Sequence, residues 1–160
     1  MIHIDVIAVG RQKEDYLKKG CEEYIKRLMS FCKLNIIEIS EEKAPDNPSG
    51  NQIEIIKNAE GERILSKIPA KAKVIALCIE GKQLSSQELS KHIDMYSLSG
   101  SSRIAFVIGG SWGLSDKVKE SGDFLLSASK MTFPHQLFRL MLLEQIYRAF
   151  QISADGKYHK

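Results

Sequence analysis

Three consecutive runs decide the fold: R-I-A-F-V-I-G-G-S-W-G-L-S (103–115), D-F-L-L-S-A-S-K-M-T-F-P-H-Q (123–136) and L-F-R-L-M-L-L-E-Q-I-Y-R-A-F (137–150). The apolar run Arg103 to Ile108 ends in paired glycines, and the run Asp123 to Ser127 ends in a small polar loop. Pro134 then opens a long apolar helix at a position that tolerates its missing N–H. Two strand ends with accessible backbone beside a helix start make a place for a nucleotide-like ligand.

Upstream residues build a sheet behind these loops. Ile2 to Val9 reads as a strand closed by Gly10. Glu14 to Phe31 carries Leu17, Cys21, Tyr24, Ile25, Leu28 and Met29 at helical spacing. Lys33 to Ile39 is a short β-branched strand, and Glu41 to Gly50 is a loop by its two prolines and glycine. That loop is either a solvated connector or a lid. Asn51 to Ile68 predicts a second amphipathic helix, with Ile53, Ile56, Ile64 and Ile68 on its stripe. Lys73 to Ile79 is near-continuously apolar, as in a strand buried on both faces. Ser85 or Ser86 is placed to cap a helix to Tyr96, with Glu88 reinforcing it, and a short helix is expected from Ser115 to about Glu120. Strands and helices alternate throughout, so the class is α/β, a mostly parallel sheet flanked by helices in a single domain over 1–160.

The totals exclude several classes. At 160 residues, 43% hydrophobic and 27% charged, the chain is neither disordered nor fibrous. A net charge of +3 means that nucleic-acid binding must come from a local patch. Cys21, Cys32 and Cys78 form no CxxC, and they read as small apolar residues in a reducing compartment rather than metal ligands. His3 and Asp5 interrupt the first apolar run, which argues against a signal peptide. No run reaches the roughly 18 apolar residues of a membrane span, so a cytoplasmic protein is expected.

The turn Gly109-Gly110-Ser111-Trp112-Gly113 is not GxGxxG, follows the wrong strand for a dinucleotide fingerprint, and lacks the GK[ST] ending of a P-loop. What remains is close backbone approach, which glycine permits. The second loop, Ala128-Ser129-Lys130-Met131-Thr132-Phe133, puts another accessible segment at a strand end, and Leu77 joins the same edge if its strand is the neighbour.

V-I-G-G-S-x-G (107–113), S-x-S-K-M-T-F-P-H-Q (127–136), E-Q-I-Y-R-A-F (144–150) and the terminal Y-H-K (158–160) resemble the RlmH family of SPOUT-class methyltransferases, as do A-V-G (8–10) and E-K-A-P (42–45). The resemblance covers the whole chain. It implies methylation at N3 of a pseudouridine in 23S ribosomal RNA, with S-adenosylmethionine as donor, a homodimer as active form, and the large subunit or whole ribosome as partner. It also implies a C-terminal trefoil knot over roughly 73–150, which topology rules alone would discard. The implied cofactor contacts are Leu77, Gly109 and Ala128, Ser129, Lys130, Met131, Thr132 and Phe133. Methyl transfer is a direct displacement governed by alignment and needs no metal. The alternatives weighed are a nicotinamide-dependent oxidoreductase, disfavoured by the missing fingerprint, and a non-catalytic ribosome- or RNA-binding module.

N3 of a pseudouridine carries a proton at neutral pH, so a base or an anion-stabilising environment is required. His3 and His92 read as structural, and His135 suits packing or capping as well as catalysis. His159 stands in a tail (151–160) beyond the polar linker S-A-D-G-K. His159 as base, Tyr158 as orienting hydroxyl, and electrostatic help from Arg or Lys stay open together. Arg139, Arg148, Lys157 and Lys160 are the candidate RNA contacts. The last helix is apolar around most of its circumference, which points to a partner subunit whose tail completes the site.

Overall fold

A computed structural model describes residues 1–159, so Lys160, expected among the RNA contacts, lies outside the described residues. Strands and helices alternate as expected: β1 (His3–Val9), α1 (Asp15–Leu28), β2 (Lys33–Ile39), α2 (Gly50–Lys67), β3 (Lys73–Gln83), α3 (Ser86–Leu98), β4 (Arg103–Ile108), α4 (Asp116–Ser121), β5 (Phe124–Ser127) and α5 (His135–Ser153). The strands form one five-stranded sheet in the order β2-β1-β4-β3-β5, and every ladder is parallel.

Strand periodicity divides the core in two. Ile4, Val6 and Ala8 point to one face, with Ile75, Leu77, Ile104, Phe106 and Ile108, and meet α1, α3 and α5. Ile7 and Val9, with Val74, Ala76, Ala105 and Val107, point to the other and meet Ile64 of α2 and Val118 of α4. Central strands covered on both faces explain the continuous apolar runs. Each fully buried aliphatic side chain contributes about 1.5–3 kcal/mol against the entropy of ordering the chain.

Asp5 is wholly buried in β1, where it accepts bonds from Arg103 Nε and Nη2 (2.6 and 3.0 Å) and from Asn35 Nδ2 (3.0 Å). Burial alone would raise its pKa, but those bonds outweigh it and hold the carboxyl below the ordinary range.

Several boundaries differ from expectation by a few residues, two of them beside the site. The third strand runs on to Gln83 rather than stopping at Ile79. The last helix starts at His135, with Pro134 as its N-cap residue. The circumference of α5 is also better covered than the sequence suggested. Every residue from His135 to Ile152 is buried or half-buried within this one chain. On one side Tyr24 and Phe31, from α1 and just beyond it, pack against Tyr147 and Phe150. On the other, α3 supplies Ser90 Oγ, which donates to Ala149 O at 2.8 Å. Two flanking helices absorb part of the apolar circumference from which a second, partner-facing side was expected.

Candidate active site

At the carboxyl ends of β3, β4 and β5 lies a cavity of about 850 Å³. Its floor is apolar, from Leu77, Ile108 and Leu126, and Phe133 and Phe138 form a side wall. Backbone makes much of the rest. The β3–β5 ladder pairs Leu77 with Leu126, breaks, and resumes with Lys82 opposite the same Leu126, so Cys78 to Gly81 loop out of the ladder. A Cβ on Gly81 would lie 2.8 Å from backbone atoms of Leu125 and Leu126, and one on Gly109 would lie 2.7 Å from Gly113 C. Only glycine allows these approaches.

The expected cofactor set largely converges here. Leu77, Gly109, Ala128, Ser129, Met131, Thr132 and Phe133 line the cavity, whereas Lys130 is exposed in the same loop and stands outside the lining. The loop is shaped by its own serines. Ser127 Oγ donates to Ser129 O (3.0 Å), and Met131 N donates to Ser129 Oγ (3.0 Å). The N–H groups of Lys130, Thr132 and Phe133 find no acceptor among the described residues. Free backbone donors on a loop beside an apolar cavity suit a flat heteroaromatic ligand with polar edges.

Sequence reasoning did not assign several residues of this wall. Glu80 and Lys119 form an ion pair on it, which lowers the carboxyl pKa and raises that of the amine. Trp112 is 40% exposed and shares the cavity lining with the exposed Ile79 and Met131. His135 also lines the cavity, with Nε2 buried and 3.4 Å from Glu41 Oε1. Its place directly after Pro134, between loop and helix, was the available signal. Cys78 lines the cavity too, and burial pushes its thiol pKa up. Burial also raises Cys21 and lifts Cys32 to about 11, so these thiols stay protonated. Among the described residues, no three His, Cys, Asp or Glu are placed to hold a metal.

The tail beyond the polar linker packs back on the chain. Tyr158 packs edge-on against Tyr147 with ring centroids 4.8 Å apart, and its hydroxyl lies 3.1 Å from Tyr24 Oη and 3.2 Å from Glu144 Oε1. The Tyr24 hydrogen bond, then burial and the Glu144 charge, push the Tyr158 pKa up to about 12. His159 contacts Gln87 Nε2 (2.9 Å) and Arg148 Nη1 (3.2 Å). Neither Tyr158 nor His159 is among the cavity's lining residues, so within one chain the structure does not bring tail and cavity together.

The expected RNA contacts separate as well. Arg139 is 3% exposed and donates to Glu38 Oε2 and to Gly10 O, both at 2.8 Å. It is an internal strut, because a guanidinium buried at the sheet edge is stable only when paired, and it offers no free surface to a phosphate. Arg148 is half-buried and holds Glu144 at 2.6 Å. Lys157 is exposed.

Similarity to known proteins follows the same lines. The profile of the family described as "Predicted SPOUT methyltransferase" matches residues 2–159. "Ribosomal RNA large subunit methyltransferase H" of Clostridium kluyveri and that of Clostridioides difficile (strain 630) are each 53% identical over 159 residues. The protein of the same name from Bacillus pumilus is 54% identical. In all three cases the alignment spans 99% of this chain and 100% of the relative. A solved probable methylase family protein of Haemophilus influenzae Rd KW20 aligns with 97% of this chain and 67% of its own, but at 12% identity and a TM-score of 0.49 it is too distant to bear on the argument. With a profile matched almost from end to end and relatives more than half identical over their whole length, the chain belongs to the SPOUT methyltransferase family.

Proposed function

We propose that this protein methylates ribosomal RNA of the large subunit, with S-adenosylmethionine as donor in the cavity at the ends of β3, β4 and β5. The acceptor in this reading is N3 of a pseudouridine in 23S rRNA, presented by the large subunit or the assembled ribosome in the cytoplasm. The observation that carries it is the full-length identity to relatives named as ribosomal RNA large subunit methyltransferases. The cavity fits the donor in volume and in its mix of apolar floor and backbone donors.

When bound, the donor supplies an electrophilic methyl group on a sulfonium. The chain's own residues do the rest. Leu77, Ile108 and Leu126 exclude water from the floor, and the backbone of Gly109 admits close approach. The unpaired N–H groups of the 128–133 loop orient polar edges. Trp112 offers an exposed aromatic face on which an RNA base can stack. The N3 proton must leave as the N–C bond forms. With its pKa at about 12, Tyr158 keeps its proton near neutrality, so its part is that of a hydrogen-bond donor that orients. His159, the imidazole beside Arg148, is the base candidate in the tail. Because tail and cavity are apart within one chain, the active form in this reading is a homodimer in which each tail completes the partner's cavity. The knotted crossing implied by the family would hold the three cavity segments together.

The test is transfer of tritiated methyl groups from S-adenosylmethionine to 23S rRNA, to large subunits and to assembled ribosomes, with the label mapped to its nucleotide. Incorporation at a single pseudouridine is expected. Cofactor binding by calorimetry without any incorporation would overturn the reading.

A further inference from the structure

Of the six arginines, Arg27, Arg63, Arg103, Arg139 and Arg148 each hold a carboxylate, and Arg11 has none among the described residues. Arg11 sits where β1 ends, on the loop leading to α1. With Lys13 and Lys18 it lines a second concavity, of about 480 Å³, completed by Gln12 and Glu38. All three cations are exposed, and neither lysine is ion-paired among the described residues. The charge of Glu38 is already met by Arg139 at 2.8 Å. Glu14 and Asp15 follow in sequence but are not part of the lining. The concavity is therefore locally positive in a protein whose net charge is only +3.

The loop that carries these charges is fixed. Gln12 is 9% exposed, and its Nε2 donates to Gln136 O (2.8 Å) and to Cys21 Sγ (3.2 Å). In return Lys13 N donates to Gln136 Oε1 at 2.9 Å. Gln136 directly follows His135, which lines the cofactor cavity. Two glutamines thus pin the basic loop to the start of α5, on the same carboxyl edge of the sheet as the methyl-transfer site. Cations at a fixed offset from a reaction site can set the register of a polyanion, which scattered surface lysines cannot.

We propose that Arg11, Lys13 and Lys18 form a binding site for the phosphate backbone of the RNA substrate, gripping phosphates that flank the nucleotide presented to the cavity. The assignment rests on the RNA-methyltransferase reading above. Arg11 brings the planar fork that matches a phosphate, and the lysines add point charges. It takes over the role that the sequence gave to Arg139.

The test compares wild type with Arg11→Ala/Lys13→Ala/Lys18→Ala and with a control, Lys26→Ala/Lys33→Ala/Lys67→Ala, which removes equal charge near the amino edge of the sheet. Binding to whichever of 23S rRNA, large subunits and assembled ribosomes the wild type methylates is followed across a salt series. The expected result is a salt slope lower by about 2 to 3, roughly one per cation removed, in the first variant only. Its KM for RNA should rise at least about tenfold, while kcat at saturation, melting temperature and S-adenosylmethionine affinity stay near wild type. Equal slopes and affinities in wild type and the first variant overturn the phosphate site alone, as does an equal loss in both variants. A wild-type protein that neither binds nor methylates 23S rRNA, large subunits or assembled ribosomes removes the functional reading and this site with it.

Discussion

Gly109 has the least latitude in the cavity, because a Cβ there would sit 2.7 Å from Gly113 C and 3.0 Å from Leu114 N, both backbone atoms that cannot swing away. Gly109→Ala is expected to weaken S-adenosylmethionine binding by at least about tenfold, or 1.4 kcal/mol, in calorimetry, with the protein still folded. Glu60 of α2 poses the opposite case, a carboxylate 4% exposed beneath Gly110, accepting from Glu42 N at 3.1 Å. Burial raises its pKa, and the charges of Glu41 and Glu42 add to the effect, against the Glu42 N–H bond and Arg63. A raised folded-state pKa contributes stability that is full below the ordinary carboxylate value and lost as pH rises through the folded one. Glu60→Gln keeps the acceptor and cannot ionise. It should therefore be more stable than wild type at pH 7, by up to about 1 kcal/mol in urea unfolding, with the gain vanishing below pH 4.5.

Helix starts were the most legible elements. Ser85 and Glu88 form the expected capping box, with Glu88 N to Ser85 Oγ at 3.1 Å and Ser85 N to Glu88 Oε2 at 2.7 Å. A second box, Ser49 with Gln52, went unread because it follows directly on a proline-rich loop. Elements that depend on distant partners were not legible. β3 extends past Ile79 only because β5 lies beside it, and the tail lies down only because Tyr24, Glu144 and Tyr147 form a seat for Tyr158. Tyr158→Phe should cost about 1 kcal/mol at pH 7 through two lost hydrogen bonds. The raised pKa of Tyr158 means that wild type loses this advantage as pH rises from 10 through about 12. Melting temperatures of the two proteins should accordingly converge over that alkaline range.

At the scale of the molecule, the cavity occupies one edge of the sheet and the tail packs on α5 away from its lining, so each chain holds two incomplete halves of the proposed site. Mixed dimers test how they join. A Gly109→Ala subunit lacks a working cavity, and a His159→Ala subunit lacks a working tail. If tails act on the partner, the mixed dimer contains one site with both halves intact, and methyl transfer at sub-saturating S-adenosylmethionine should rise above that of either impaired protein. If each tail acts on its own chain, both subunits of the mixed dimer remain defective and mixing brings no gain.

The sequence alone was enough for the α/β class, the strand and helix order, and the placing of the loops Gly109 to Gly113 and Ala128 to Phe133 at strand ends, where they line the cavity. These follow from local information: period 2 against 3.6, capping residues, and glycine or proline at chain reversals. Only the tertiary structure decided which charges are available. Arg139 and Arg11 are equally basic in the sequence, yet one lies folded against Glu38 and Gly10 while the other stays exposed on a loop tied to Gln136. The same holds for Tyr158, whose proton is held by residues 134 and 14 positions away. Pairing and burial depend on which elements meet across long sequence separations, and no local pattern encodes that meeting.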